Sequence, residues 1–312
     1  MTLIPTKTEE SISQAPLSHS QTNRRQSHPI PILSNKVVNV ASVPQRSPLR
    51  YPGGKTWLVP QIRKWLAKLD PRPELFIEPF AGGGIASLTA VMDGYVDRAL
   101  LCDRDPELSN LWRCILNDTD RLAQQVESFS PTPDNVRAVF DDDNTSDFES
   151  AFRTLLRNRV NRGGIIAKGA STMNKGENGN GLASRWYAKT LATRIRTIGS
   201  YAKHFEYVRG DGIDLVERYQ DRQSAVFFID PPYTAAGKRA GKRLYTFNEI
   251  DHESLFERVS AVKAPFMMTY DENDEVIDMA LRRGFHLSRV AMKNSHHTVM
   301  YELLITSQKL SP

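Results

Sequence analysis

Residues 225–233, Ala-Val-Phe-Phe-Ile-Asp-Pro-Pro-Tyr, constrain the fold more than any other stretch of this 312-residue chain. The first five form a continuous apolar run of β-branched and aromatic residues, the pattern of a strand covered on both faces. Asp230, Pro231 and Pro232 end it, because proline has no N–H for a ladder and does not continue a helix. Strands covered on both faces belong to parallel α/β sheets, whose ligands bind at the carboxyl ends. The stretch therefore offers a fixed carboxylate, carbonyls without competing donors and, in Tyr233, an aromatic plate. Taken alone it fits a ligand site and a plain strand end about equally.

Upstream turns shift the balance. Glu74 to Gly84, followed by a helical run from Ile85 to about Met92, reads as strand, glycine turn and helix. That is the first half of a nucleotide-binding βαβ unit. Gly82, Gly83 and Gly84 allow close backbone approach, and Glu78 stands at the strand's end. A second strand, Arg98–Cys102, ends in Asp103, placed to accept hydrogen bonds from ribose hydroxyls or, alternatively, to cap a helix from about Pro106. A third strand, from Phe205, ends at Asp211, and further strands are expected at 265–270, 285–291 and 299–306. Earlier, Pro52-Gly53-Gly54 opens a helix with Trp57, Leu58, Ile62 and Trp65 at helical spacing. Its bared N–H groups and Lys55 suit an anionic or carboxylate-bearing ligand. The spacings are neither those of a Walker loop nor of GxGxxG.

Charge divides the chain. Residues 1–50 carry +4 and residues 151–210 carry +10, against a total of +5, so the remainder is acidic. A basic block in an acidic protein is either a nucleic-acid footprint or a solvated helical face. It interrupts the α/β alternation and supplies Arg157, Arg159, Asn161, Arg162, Lys168 and Arg185, types suited to phosphate contact and base-edge reading. The expected organisation is a disordered tail over 1–46, a catalytic domain from 47–116 and 205–312, and a mainly helical insert over 117–204. The tail is expected because its composition buries too little apolar surface to offset chain entropy. A basic glycine-bearing loop spans 237–242. No apolar run reaches bilayer-spanning length, the start lacks a signal-peptide core, and the two cysteines form no metal or redox pair. A cytoplasmic protein without a membrane partner is expected. His296 and His297 lack a third ligand, so a substrate-facing turn is favoured over a metal site.

Tyr51-Pro52-Gly53-Gly54-Lys55, Phe76 to Gly84, Leu101-Cys102-Asp103, Asp230 to Tyr233 and Glu302-Leu303-Leu304-Ile305 stand in a fixed order. Together they resemble the Dam-type (alpha-class, D12) DNA adenine-N6 methyltransferases over about residues 48–308. The resemblance implies a Rossmann-like α/β fold, S-adenosyl-L-methionine as cofactor, double-stranded DNA as substrate and a target-recognition region between the glycine motif and Asp-Pro-Pro-Tyr. It also admits a cognate restriction endonuclease as partner. By position, Tyr51 and Lys55 match cofactor-contacting residues, and Glu78, Phe80, Gly82 and Gly84 match the motif holding the cofactor's methionine end. Asp103 matches the ribose-binding acid, and Asp211 a carboxylate near the adenine, within a departing local sequence. Asp230, Pro231, Pro232 and Tyr233 match the catalytic motif, with Asp230 also beside the cofactor. The basic block does not visibly match the recognition region of GATC-specific members.

The implied chemistry suits these residues. The lone pair of an exocyclic adenine amine is delocalised, so Asp230 and the Pro231 carbonyl would accept its hydrogens and draw the nitrogen toward tetrahedral geometry. Tyr233 would stack on a base flipped from the duplex. Two alternatives stand beside this reading: a catalytically silent DNA-binding protein on the same fold, and an enzyme methylating cytosine-N4 or another amine.

Overall fold

The computed structural model describes residues 29–50, 53–142, 146–167, 170–173, 175–176, 179, 181–232, 250–293 and 298–310. The expectations placed on residues 1–28, Tyr51, Lys168, Tyr233, the 237–242 loop and His296–His297 lie outside those residues.

One eight-stranded sheet organises the chain: β1 (Ile32–Ser34), β2 (Leu75–Glu78), β3 (Arg98–Asp103), β4 (Phe205–Arg209), β5 (Ala225–Ile229), β6 (Phe266–Asp271), β7 (His286–Lys293) and β8 (Val299–Thr306). Their order is β1-β7-β8-β6-β5-β2-β3-β4. Strands β2 to β6 are mutually parallel, while β8 runs antiparallel to both β6 and β7. The alternation of side chains along a strand divides the interior in two. Val226 and Phe228 join Phe76, Ala99 and Leu101 in one core. Ala225, Phe227 and Ile229 join Ile77 and Leu100 in the other. All five residues of β5 are buried, as its unbroken apolar run requires.

Helices α1 (Val59–Leu66), α2 (Ile85–Met92) and α3 (Pro106–Asn117) contribute to the first core. Between β3 and β4 the chain continues through α4 (Thr119–Ser128), α5 (Pro133–Asp141), α6 (Asp147–Val160) and α7 (Ala188–Ser200). Helix α3 packs against β4 and also against α6 and α7, so it is sandwiched. Leu122, Leu155, Leu191 and Ile195 therefore belong to the same continuous core as Phe76 and Phe228. The intervening helices share the sheet's core and do not enclose one of their own. The second face is covered by α8 (Gly212–Tyr219), α9 (His252–Ser260) and α10 (Asp274–Arg282).

The expected disordered tail is corrected from Pro29 onward. Ile32 and Ser34 pair in parallel with β7, Val43 is buried beside Val59 and Ile85, and Arg46 ion-pairs with Asp93 at 2.6 Å. The segment's short apolar pairs have no local period because their partners lie far away in sequence: Ile30 packs on one core and Leu33 on the other. No helix among the described residues is long and apolar enough to cross a membrane.

Candidate active site

From β2 the chain builds outward through β3 and β4, then returns to place β5 on the other side of β2. Such a reversal opens a crevice at the carboxyl ends of the two strands. A cavity of ≈ 660 Å³ lies there, within the range for a small-molecule site. It brings together Lys55, Glu78, Gly82, Asp103, Asp211 and Asp230, six residues spread across the sequence. Phe80, Gly84, Pro231 and Pro232 line the same space.

The glycine turn is shaped by contacts that a side chain would break. Gly84 precedes α2 with φ +63°, and a Cβ there would lie 2.7 Å from Trp112 Cζ2 and 2.9 Å from Leu101 Cδ2. Trp112 donates from its indole nitrogen to the Gly82 carbonyl at 3.0 Å. Asp103 holds the turn from the other strand: Oδ2 accepts from Gly82 N and Oδ1 from Asp105 N, both at 3.1 Å. Burial pushes the Asp103 carboxyl up to about 6, against the lowering effect of those N–H bonds. The cap of α3 is Asp105, which accepts from Glu107 N at 2.9 Å, so the capping alternative for Asp103 does not hold.

Glu78 is 3% exposed. Burial raises its carboxyl to about 8, with the Ser87 hydrogen bonds opposing and the nearby Asp230 charge adding to the rise. Ser87 donates to it from its backbone N at 2.9 Å and from its hydroxyl. Asp211 caps α8 by accepting from Ile213 N at 2.7 Å, and it ion-pairs with Arg104. Behind it Gly212 has no room for a side chain, since a Cβ would meet Phe80 Cε1 and the Pro79 carbonyl at 2.6 Å.

At the end of β5, Asp230 Oδ1 accepts from the Thr269 hydroxyl at 2.7 Å and lies 2.8 Å from Lys55 Nζ. Lys55 also donates to the Gly53 carbonyl at 2.9 Å and reaches Glu302 Oε1 at 3.2 Å. The lysine expected at the cofactor thus places its ammonium on the catalytic-motif carboxylate. Thr269, Ser87 and Trp112 were not singled out in the sequence, and Glu302 stood there only within the closing Glu-Leu-Leu-Ile motif, without a site role. Each acts on a motif residue from another element, so no local spacing marks it. Asn158 is a further case: its side chain accepts from Arg50 N at 2.8 Å and donates to the carbonyls of Arg50 (3.1 Å) and Gly164 (2.8 Å). It ties α6 to the segment just before the Gly53-Gly54 turn.

The expected DNA-contacting set divides. Arg157, Arg159 and Asn161 are corrected: all three are buried, at 7%, 4% and 2% exposure. Arg157 is held by Glu107 at 2.8 Å. Arg159 donates to the carbonyls of Arg185 (3.0 Å) and Pro48 (3.4 Å), and Asn161 to that of Ile165 (2.8 Å). Arg157 and Arg159 lie on the last turn of α6 and Asn161 is its C-cap, a stretch enclosed by α3 and the 48–50 segment. Arg162 is exposed and Arg185 half-buried. Among the described residues, no group of three His, Cys, Asp or Glu could hold a metal ion.

The donor set fits S-adenosylmethionine. Glu78 can meet its cationic amino group, Asp103 its ribose hydroxyls and Asp211 its adenosine end, around a turn whose Gly84 has no room for a side chain. A topological switch point carrying these groups, with the family match that follows, places the chain among Rossmann-like S-adenosylmethionine-dependent methyltransferases. Within that class, the chain belongs to the D12 class N6 adenine-specific DNA methyltransferase family, whose model matches residues 51–295. It is an adenine-specific DNA methyltransferase that uses S-adenosyl-L-methionine. Similar solved structures include a putative RNA methyltransferase from Pyrococcus horikoshii (8% identity, TM-score 0.39, covering 86% of this chain and 92% of that one). Others are a precorrin-6y C5,15-methyltransferase from Geobacter metallireducens (10%, 0.33, 80% and 87%) and an rRNA methyltransferase from Streptomyces viridochromogenes (15%, 0.35, 80% and 83%). No curated protein matches in sequence.

Proposed function

We propose that Asp230 and the Pro231 carbonyl are the acceptors that position the amine of an adenine flipped from double-stranded DNA. The observation that carries this is the double anchoring of Asp230 Oδ1 by Thr269 and Lys55 beside a rigid Pro-Pro step lining the cavity. A carboxylate so fixed needs no reorganisation when charge develops on the nitrogen, which is where electrostatic catalysis is strongest. S-adenosylmethionine, when bound, supplies an electrophilic methyl group. Asp230 accepts a hydrogen bond from the amine throughout, and the proton displaced from the nitrogen leaves to solvent. The proline ring of Pro231 leaves its carbonyl without a competing local donor, Pro232 stiffens the step, and Tyr233 stacks on the base. Glu78, Phe80, Gly82 and Gly84 hold the methionine end of the cofactor, and Tyr51, Lys55, Asp103 and Asp211 complete its contacts.

The helices over 117–204 are assigned to target recognition, with Arg162, Lys168 and Arg185 at the DNA. The setting is the cytoplasm, and the second partner is a cognate restriction endonuclease blocked by the methyl group. With labelled cofactor and duplex DNA the purified protein should yield N6-methyladenine. Asp230→Ala should lower kcat by about 100-fold or more. Undiminished transfer by that variant would remove the assigned role, and N4-methylcytosine as sole product would change the acceptor.

A further inference from the structure

Lys55 is 3% exposed, and a buried ammonium is costly unless it is paired. Two carboxylates share it, Asp230 at 2.8 Å and Glu302 at 3.2 Å. Glu302 is itself only 5% exposed. It lies on β8, opposite Asp271 of β6 and Val290 of β7, at the start of the buried run Leu303-Leu304-Ile305. A strand buried on both faces selects apolar side chains, so a carboxylate there carries a desolvation cost that packing does not recover. Lys55 itself follows the Gly53-Gly54 turn and reaches the pair on a flexible four-carbon stem. The rigid strand, with the Gly53 carbonyl, therefore sets where the ammonium rests beside Asp230.

We infer that Glu302 is a positioning residue for methyl transfer, acting through Lys55 to hold its ammonium on Asp230 Oδ1 while sharing its charge. This rests on Asp230 being the amine acceptor. Lys55 divides its single positive charge between two carboxylates, so its ammonium alone does not fully neutralise Asp230, which faces a nitrogen that becomes positive as it gains the methyl group. Without Glu302, the Lys55 ammonium loses one of its two carboxylate anchors, and more of its charge falls on Asp230. Among the described residues, Tyr270 and Glu78 also couple to Asp230, and burial pushes both pKa values up, which favours their uncharged forms.

The test compares Glu302→Gln, Glu302→Asp, Lys55→Met, the double variant Lys55→Met/Glu302→Gln and Asp230→Asn, each as the full chain with measured Tm and cofactor affinity. Glu302→Gln should lower kcat about 10-fold or more while KM for DNA and Kd for cofactor stay within about two-fold, and Glu302→Asp should recover part of the loss. Adding Glu302→Gln to Lys55→Met should cost nothing further, because the Lys55 ammonium through which the carboxylate acts is already gone. A wild-type kcat for Glu302→Gln would overturn the inference. So would losses that multiply in the double variant, which indicate a merely structural carboxylate. If Asp230→Asn keeps full activity, the amine-acceptor reading fails instead, whatever Glu302 does. Should Glu302→Gln not fold, the comparison of Glu302→Asp alone and in the Lys55→Met background decides.

Discussion

A carboxyl group sealed from water keeps its proton, and Glu78 carries that cost for the ligand-free protein. Its pKa rises from 4.5 to about 8, with burial as the leading cause. An acid raised on folding binds a proton in the native state that the unfolded chain has lost. The native state is therefore favoured at low pH, and the Glu78 contribution declines as pH climbs from about 4.5 to about 8, at up to about 1.4 kcal/mol per pH unit. Glu78→Gln removes this dependence, so the stability difference between variant and wild type should grow in the variant's favour across that window. Denaturant titrations at several pH values check it, and a flat difference would show that Glu78 ionises freely. The same variant should bind cofactor more weakly, because a neutral amide cannot pair with an amino cation. In wild type at pH 7, cofactor binding should release a proton, visible as a dependence of the calorimetric enthalpy on buffer.

At the scale of elements, the segment ahead of the first glycine turn repays attention. β1, the buried Val43 and the Arg46–Asp93 pair, with Arg63 also on Asp93 at 2.8 Å, fasten residues 29–46 to the sheet edge and to α1 and α2. A chain beginning at Ser47 should be less stable than one beginning at Pro29 by about 2–3 kcal/mol, the sum of one buried valine, a partly exposed ion pair and a short strand. Thermal melts of the two truncations test this, and equal Tm values would mean the segment is only laid on the surface. The same segment shows where sequence reading stops. Strands β2, β3 and β5 were legible because each is a local apolar run closed by an acid, and Gly82 to Gly84 announce their own turn. Three site acids, Glu78, Asp103 and Asp230, followed from that grammar. Ile30, Leu33 and Val43 form no local period, since their partners lie in β7, α1, α2 and the cores. Thr269 and Asn158 were hidden for the same reason, and the motif containing Glu302 did not disclose its contact with Lys55: their importance lies in what they touch, not in their neighbours along the chain.

For the whole molecule, composition located the basic block correctly but not the direction its side chains face. Helix α6 ends between α3 and the 48–50 segment, so the +10 block spends Arg157 and Arg159 on internal acceptors and leaves Arg162 at the exposed turn next to Gly163, a residue lining the cavity. Counterion release depends only on cations that reach phosphate, so these arginines should separate by experiment. Arg162→Ala should leave Tm unchanged and reduce the slope of log affinity against log salt by about one, weakening binding to all duplex sequences alike. Arg157→Ala should do the reverse: the salt slope stays put, while stability drops by roughly 2–4 kcal/mol because Glu107 loses its buried partner. Fluorescence anisotropy over a salt series, paired with thermal melts, reads both quantities from the same samples. If Arg157→Ala flattened the salt slope at unchanged Tm, α6 would have to turn its last helical turn outward on DNA, and the Arg157–Glu107 bond would be a latch that DNA opens.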